Sequence, residues 1–207
     1  MNILIIWGGY GLHQPEQISR RLAELLLSKE HAVTATSDFY VILNEDLRKY
    51  DVLVPVWSRG IRDDWLLQFV LRAIDGGLGL ACFHGAIDFF DQREYCQLVG
   101  GLYINDSNYE SFRVRISANC GEAFDGLQDF QGGGEIFNCM LDMSNHVIAH
   151  IEADRFIRPY AWTRRYGKGK IFYSMGAHDI DTLFSGGCMD IILRGIDWSA
   201  REEEGRL

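Results

Sequence analysis

Three short apolar runs, each ending at a change of chain direction, constrain this chain more than any other feature. Ile3 to Trp7 is apolar without interruption, "DVLVPVW" begins at Asp51, and "LGLACF" begins at Leu78. Runs of this length with no polar alternation fit strands covered on both faces, as in a parallel sheet. After the first run come "GGYG" and Pro15, which suits the first turn of a helix, and then Ile18, Leu22, Leu25 and Leu26 on one helical stripe. "HAVTATS" reads as the next strand. Asp63 or Asp64 can cap a second helix with Leu66, Phe69, Val70, Ala73 and Ile74 as its apolar stripe, ended by "DGG" at Asp75 to Gly77. Strand and helix in repeated alternation predict a doubly wound sheet with right-handed crossovers, and such folds bind ligands beyond the carboxyl ends of their strands. Pro55 is the awkward residue, because it cannot donate to a sheet ladder.

Beyond residue 100 the period changes. "SFRVRIS" alternates Phe112, Val114 and Ile116 against Arg113, Arg115 and Ser117, the pattern of a half-solvated strand. "VIAHIE" and "YAWTRRY" look similar, and the latter, followed by "GKG" and "KIFYSM", reads as a hairpin. Antiparallel strands therefore extend or flank the parallel sheet. Ile191, Ile192, Gly195 and Ile196 suggest a closing helix, and "REEEGRL" a charged, frayed tail. The 207 residues are expected to form one domain.

Composition narrows the partners. Twenty basic against 29 acidic residues leave a formal charge of -9, which opposes binding to nucleic acid or an anionic membrane surface. No apolar run approaches the roughly 20 residues of a membrane helix. The five cysteines are odd in number and lack Cys-x-x-Cys spacing, so neither a disulfide framework nor a thiolate zinc site is indicated, and a cytoplasmic location fits best. A homo-oligomer is compatible with these features.

The chemistry-bearing residues gather where apolar runs stop. Gly9 and Gly11 begin a dinucleotide fingerprint, but its third glycine position is Gln14, so a tight turn is the better reading. His13 stands at a helix entrance where ligands bind in such folds. "CFHGAID" has the form of a nucleophile elbow, a sharp strand-to-helix turn that projects one side chain over the sheet, and the projected residue is His84. His84 offers a general acid or base near neutral pH or a metal-ligating nitrogen. Cys82, two residues earlier, is expected to be buried and inert. Asp88 can orient His84, bond a ligand hydroxyl or cap the following segment. "YSMGAHDID" repeats the pattern, with His178 and Asp179 emerging after a strand, although Asp179 and Asp181 are equally suited to capping. Trp57, Ser58 and Arg59 follow the third strand, where an aromatic plane and a bidentate donor suit a sugar or carboxylate. Glu135, after three glycines, and the Asn105 and Asp106 pair are weaker polar candidates. His31, His146 and His150 show no supporting pattern.

Taken together, "GGLGLACFHGAID", "REYCQLVGGLY", "FDGLQDF" and "AWTRRYGKGKIFYSMGAHD" resemble the trehalose-utilisation, ThuA-like family, in that order and across nearly the whole chain. The resemblance implies a flavodoxin-like three-layer α/β sandwich, similar to class I glutamine amidotransferases, with a mostly parallel sheet and added antiparallel strands in the C-terminal half. It places His84 where those enzymes carry the catalytic cysteine and His178 near their triad histidine. Glu135, with Phe137 two residues on, matches the acidic residue that commonly precedes an aromatic. A histidine and proline commonly precede the "F-x-G-L" element, whereas Gly121 and Glu122 stand here, which suggests a different substrate.

The reading that follows is a carbohydrate-processing protein acting on trehalose, sucrose or a related, oxidised disaccharide rather than on glutamine. His84 would be the general acid or base, with His178 and Asp88 positioning it or the sugar, and His13, Trp57, Arg59, Glu135 and Asp179 binding substrate. Two alternatives stand beside it. One is a sugar-binding or regulatory module without catalysis. The other is a histidine and carboxylate metal site built from His13, His84 and His178, although no motif assigns a metal ligand set and the cofactor is unknown.

Overall fold

The structure, a computed structural model, describes residues 1–153 and 156–202. In chain order the elements are β1 (Asn2–Gly9), α1 (Pro15–Ser28), β2 (Ala32–Thr36), α2 (Val41–Asn44), β3 (Val52–Ser58), α3 (Asp64–Asp75), β4 (Gly79–Phe83), α4 (Arg93–Val99), β5 (Gly101–Asp106), β6 (Glu110–Ile116), β7 (Phe130–Gly134), β8 (Phe137–Leu141), β9 (His146–Ala153), β10 (Phe156–Tyr166), β11 (Gly169–Ser174), α5 (Ile180–Leu183) and α6 (Cys188–Ser199). The segment "REEEGRL" lies outside the described residues from position 203 onward.

Among the described residues nine strands form one sheet in the order β2-β1-β3-β4-β11-β10-β9-β6-β7. The first five are mutually parallel, and this 2-1-3-4-5 arrangement is the flavodoxin-like order. From β10 onward every pairing is antiparallel. The β10 and β11 hairpin falls where "YAWTRRY" and "KIFYSM" place it. β5 and β8 form a separate two-stranded ribbon. α1, α5 and α6 pack on one face, α2, α3 and α4 on the other, giving three layers.

Burial explains the strand pattern. Ile3, Leu4, Ile5, Ile6, Val52, Leu53 and Val54 have no exposed surface, so neighbouring side chains on both faces must be apolar. Pro55 is tolerated because the β3 and β4 ladder covers only Val52 and Leu53 opposite Gly79 and Leu80, so Pro55 lies beyond it. α3 begins where Asp63 Oδ1 accepts the backbone N–H groups of Trp65 and Leu66. Its buried stripe is Leu66, Leu67, Val70, Leu71 and Ile74, whereas Phe69, expected inward, is 39% exposed. The stripe is rotated by one position because Leu71 turns inward in its place. Each of those five side chains contributes about 1.5–3 kcal/mol by leaving water. Among the described residues no helix is long and apolar enough to cross a membrane.

Candidate active site

Four adjacent parallel strands deliver their following residues to one edge of the sheet. His13 comes after β1, Ser58 and Arg59 end and follow β3, His84 follows β4, and His178 follows β11. The strand ends meet there because parallel strands share a direction, so residues distant in sequence converge.

The turn at His84 is an elbow in fact. His84 holds a left-handed backbone with φ 47°, which costs an ordinary residue about 1–2 kcal/mol. Two buried tyrosines fix the turn: Tyr173 donates its hydroxyl to the His84 carbonyl at 3.0 Å, and Tyr95 donates to the Ala86 carbonyl at 2.9 Å. Gly85 is required because a Cβ there would stand 2.3 Å from Ser58 Cβ. Gln14, Arg59 and Ala177 also adopt positive φ, at 52°, 70° and 65°, so all four loops at this edge carry backbone strain.

His13, His84 and His178 form a triangle of rings. Centroids are 4.5 Å apart for His13 and His84, 5.0 Å for His13 and His178, and 5.0 Å for His84 and His178. Glu135, from the link between β7 and β8, completes the group. Its two carboxylate oxygens lie 3.9 Å from His84 Nε2 and 3.8 Å from His178 Nε2. Gly134, with φ 131°, allows this approach, since a Cβ there would sit 3.0 Å from His178 Cβ. One ligand-type atom from each of the four residues lies within 4.8 Å of the others.

Two of the rings are anchored through Nδ1, His13 to Ser58 Oγ at 2.9 Å and His178 to Asp179 Oδ2 at 3.1 Å. Asp179 also caps α5 in a reciprocal box with Thr182, so it acts as a cap and as a histidine partner at once. Gln14 Oε1 accepts the Ile180 backbone N–H at 3.1 Å and ties the His13 loop to the His178 loop. His84 is different: it is 3% exposed, and among the described residues neither ring nitrogen finds a hydrogen bond of sound geometry. The nearby Met175 backbone favours its charged form only weakly.

Electrostatics follow from this crowding. Burial, then the neighbouring His13 and His178, holds the His84 ring well below the usual imidazole range. Burial, then His178 and Arg59, lowers His13 to about 4. Burial raises the Asp88 carboxyl to about 6 and pushes Glu135 upward, with His178 opposing the latter. Burial also tends to raise Asp179, but bonds from the Thr182 backbone and from His178 leave it lower than usual.

Beside the cluster opens a cleft of about 340 Å³, lined by Tyr10, His13, Arg59, Asp88, Tyr103 and Glu135 among others. Asp106 and Phe137 are also on its wall. Arg59 stacks its guanidinium 4.0 Å from the Tyr10 ring centre, and Tyr103 donates to Asp106 at 2.5 Å. His84 lies behind this wall, with Phe137 packed on its ring at a centroid distance of 4.9 Å.

The placement of the expected site residues is therefore uneven. His13, His84, His178, Glu135 and Asp179 come together, and Asp88 and Arg59 reach the adjoining cleft. Asp88 makes no side-chain bond to His84, and the α4 cap is Gln92, so neither orienting His84 nor capping describes it. Trp57 is not on the wall of the larger cleft but lines a small hollow beside His13, Ser58 and His84; its ring packs across Gly8 and against Phe39 and Phe89, and its Nε1 donates to the Arg59 carbonyl at 3.1 Å. Asp181 lies within α5 rather than at its cap. Cys82 is buried and its thiol pushed up to about 12. Tyr10, Tyr103 and the anchoring role of Ser58 were not legible, because nothing local marks them. Asp106 carried one signal, its place beside Asn105 in a polar pair.

Comparison with known proteins agrees with this fold. No curated protein is similar enough in sequence to count as a relative. A ThuA-like protein of Parabacteroides merdae superposes with a TM-score of 0.79 at 15% identity, covering 96% of this chain and 89% of the other. One from Bacteroides uniformis gives 0.78 at 15% identity with the same coverage. A cytoplasmic protein of Salmonella typhimurium gives 0.67 at 11% identity, covering 97% and 99%. The ThuA family model, described as trehalose utilisation, matches residues 2–199, and the chain belongs to that family.

Proposed function

We propose that this chain acts on a disaccharide, of the trehalose or sucrose type or an oxidised derivative, bound in the cleft beside the histidine triangle. The observation that carries the reading is the convergence of His13, His84, His178 and Glu135 at the carboxyl edge of the sheet, next to a cleft of about 340 Å³. That volume is at the lower end of small-molecule sites, about 300–1,000 Å³. Arg59, Tyr10, Tyr103 and Asp106 offer the donors, acceptors and ring faces that sugar hydroxyls need. The family's description as trehalose utilisation supports the substrate class.

Proton transfer has two candidate carriers. The sequence reading gives it to His84, but a ring held deprotonated is a weak base at neutral pH. Asp88, near 6 and on the cleft wall, is better matched to exchange a proton with a sugar hydroxyl. His84 then serves as a lone-pair donor at the floor. Glutamine amidotransfer is disfavoured, since the elbow carries no thiol and Cys82 is held protonated.

Calorimetry with trehalose, sucrose and their oxidised derivatives, paired with product analysis over long incubation, tests this. Expected are saturable binding, slow product formation, and a loss of turnover on the order of a hundredfold in Asp88→Asn with binding retained. Absence of both binding and product overturns the reading. Saturable binding with no product favours the sugar-binding module instead, for which the missing nucleophile at the elbow is the supporting observation.

A further inference from the structure

We infer that His13, His84, His178 and Glu135 form a binding site for one divalent first-row transition-metal ion, with zinc the simplest case. Three imidazoles and a carboxylate are a donor set suited to such ions rather than to magnesium or calcium, which take oxygen ligands. This goes beyond the carbohydrate reading and does not depend on it.

Three observations point to an ion. First, the donor atoms are close to the spacing a metal needs. A tetrahedral ion with bonds of about 2.0–2.1 Å sets its ligand atoms about 3.3 Å apart. Glu135 already lies 3.8 Å and 3.9 Å from two histidine nitrogens, and all four donors fall within 4.8 Å. Modest side-chain rotation closes the remainder.

Second, the outer nitrogens are held as they are in metal sites. Ligating histidines usually give their other ring N–H to a carboxylate, carbonyl or similar acceptor, which fixes the tautomer and aims the free nitrogen. His178 does this with the Asp179 carboxylate through Nδ1, and His13 Nδ1 pairs with the Ser58 hydroxyl, which is able to accept it. Their Nε2 lone pairs are thereby left for a common centre.

Third, among the described residues the buried His84 ring makes no hydrogen bond of sound geometry through either nitrogen. Leaving such a group unsatisfied is costly, and natural folds rarely do it without a reason. A hollow of about 20 Å³ beside His13, Ser58 and His84 has room for one water, which could satisfy one nitrogen. The other, Nε2, faces Glu135 across 3.9 Å, where an ion would join them.

Tag-free full-length protein, treated with chelator and dialysed, is titrated with cobalt(II) and zinc(II), and cobalt coordination is followed by its visible absorption. Expected are one ion per chain, a nitrogen-rich cobalt spectrum, and displacement of cobalt by zinc. His84→Ala and His178→Ala should weaken uptake on the order of a hundredfold, and Glu135→Gln at least about tenfold. Ser58→Ala keeps all four ligands and should still cost about tenfold by loosening His13. His150→Ala, on β9, serves as the control with unchanged uptake. Circular dichroism confirms that each variant is folded, and half-exposed Glu135 keeps the test valid if a histidine variant is not. Uptake far below one ion per chain overturns the inference, as does stoichiometric uptake that survives both His84→Ala and Glu135→Gln. Stoichiometric metal without any sugar binding leaves this site standing and removes the carbohydrate reading. Chelator-resistant sugar turnover by protein that takes up no ion does the opposite.

Discussion

His84 Nε2 and Glu135 Oε2 face each other across 3.9 Å at the floor of the site, one from the elbow after β4 and the other from the link between β7 and β8. The pair joins the parallel half of the sheet to its antiparallel extension. Backbone strain and a buried imidazole meet at this point, and the fold tolerates them because its core supplies stability elsewhere.

That tolerance predicts a trade between stability and activity at His84. Removing the side chain relieves a left-handed backbone worth about 1–2 kcal/mol and an unsatisfied buried group worth about 1–3 kcal/mol, against lost ring packing of similar size. In chelator-treated protein, His84→Gly should melt at or a few degrees above the parent while losing sugar turnover, because the lone-pair donor at the floor of the site is gone. Scanning calorimetry beside a turnover assay checks both. A clearly lower melting temperature would show that the ring is well satisfied.

Gly85→Ala should fail for a steric reason. The new Cβ would meet Ser58 Cβ at 2.3 Å, and Ser58 is buried and bonded to His13. Overpacking of this kind costs about 1–3 kcal/mol, and the shift of Ser58 loosens the His13 ring. Denaturant unfolding measures the first effect. The imidazole resonances of His13, followed by NMR, report the second, and unchanged resonances would refute the coupling.

Asp88 predicts a pH-dependent gain. Its folded value, about 6, is raised above 3.8, so the folded state holds the proton more tightly. The penalty for burying the charge is absent below about 4, grows through the window from 4 to 6, and is complete above it. Asp88→Asn should therefore stabilise the protein at pH 7–8 by about 1 kcal/mol, after allowance for partial exposure, and the gain should vanish near pH 4. Melting temperatures of both proteins across that range provide the test. If Asp88 exchanges the catalytic proton, the parent's rate also changes through pH 6, and the variant's does not.

His13 works in the other direction. Its folded value of about 4 lies below 6.5, so the unfolded chain takes up the proton first as pH falls. Stability is unaffected above 6.5 and is lost between 6.5 and 4. His13→Gln should flatten this part of the stability profile while leaving the value at pH 8 within about 1 kcal/mol. An equally steep acid loss in the variant would assign the effect to other groups.

Much of the fold was legible because its signals are local. Ile3 to Ile6 and Val52 to Val54 are apolar on both faces, and only a doubly covered parallel strand places such runs without exposing them. The cap of α3 by Asp63 and the hairpin turn at Gly167 are set by neighbouring residues. Phe69 misled because a helical stripe can shift by one position when Leu71 competes for the same face. His84 was legible for a related reason: small residues around a strand end mark an elbow whatever side chain it carries.

The sequence by itself determined the alternation of elements, the parallel and antiparallel halves and the strand ends at which chemistry could stand. Only the tertiary structure decided that His13, His84, His178 and Glu135 share one centre, that Trp57 lines the small hollow beside them and not the larger cleft, and that Asp88 lines that cleft without a side-chain bond to His84. The physical reason is range. Periodicity and capping act within a few residues, whereas the site is assembled by the sheet's strand order, which brings the ends of β1, β3, β4 and β11 side by side.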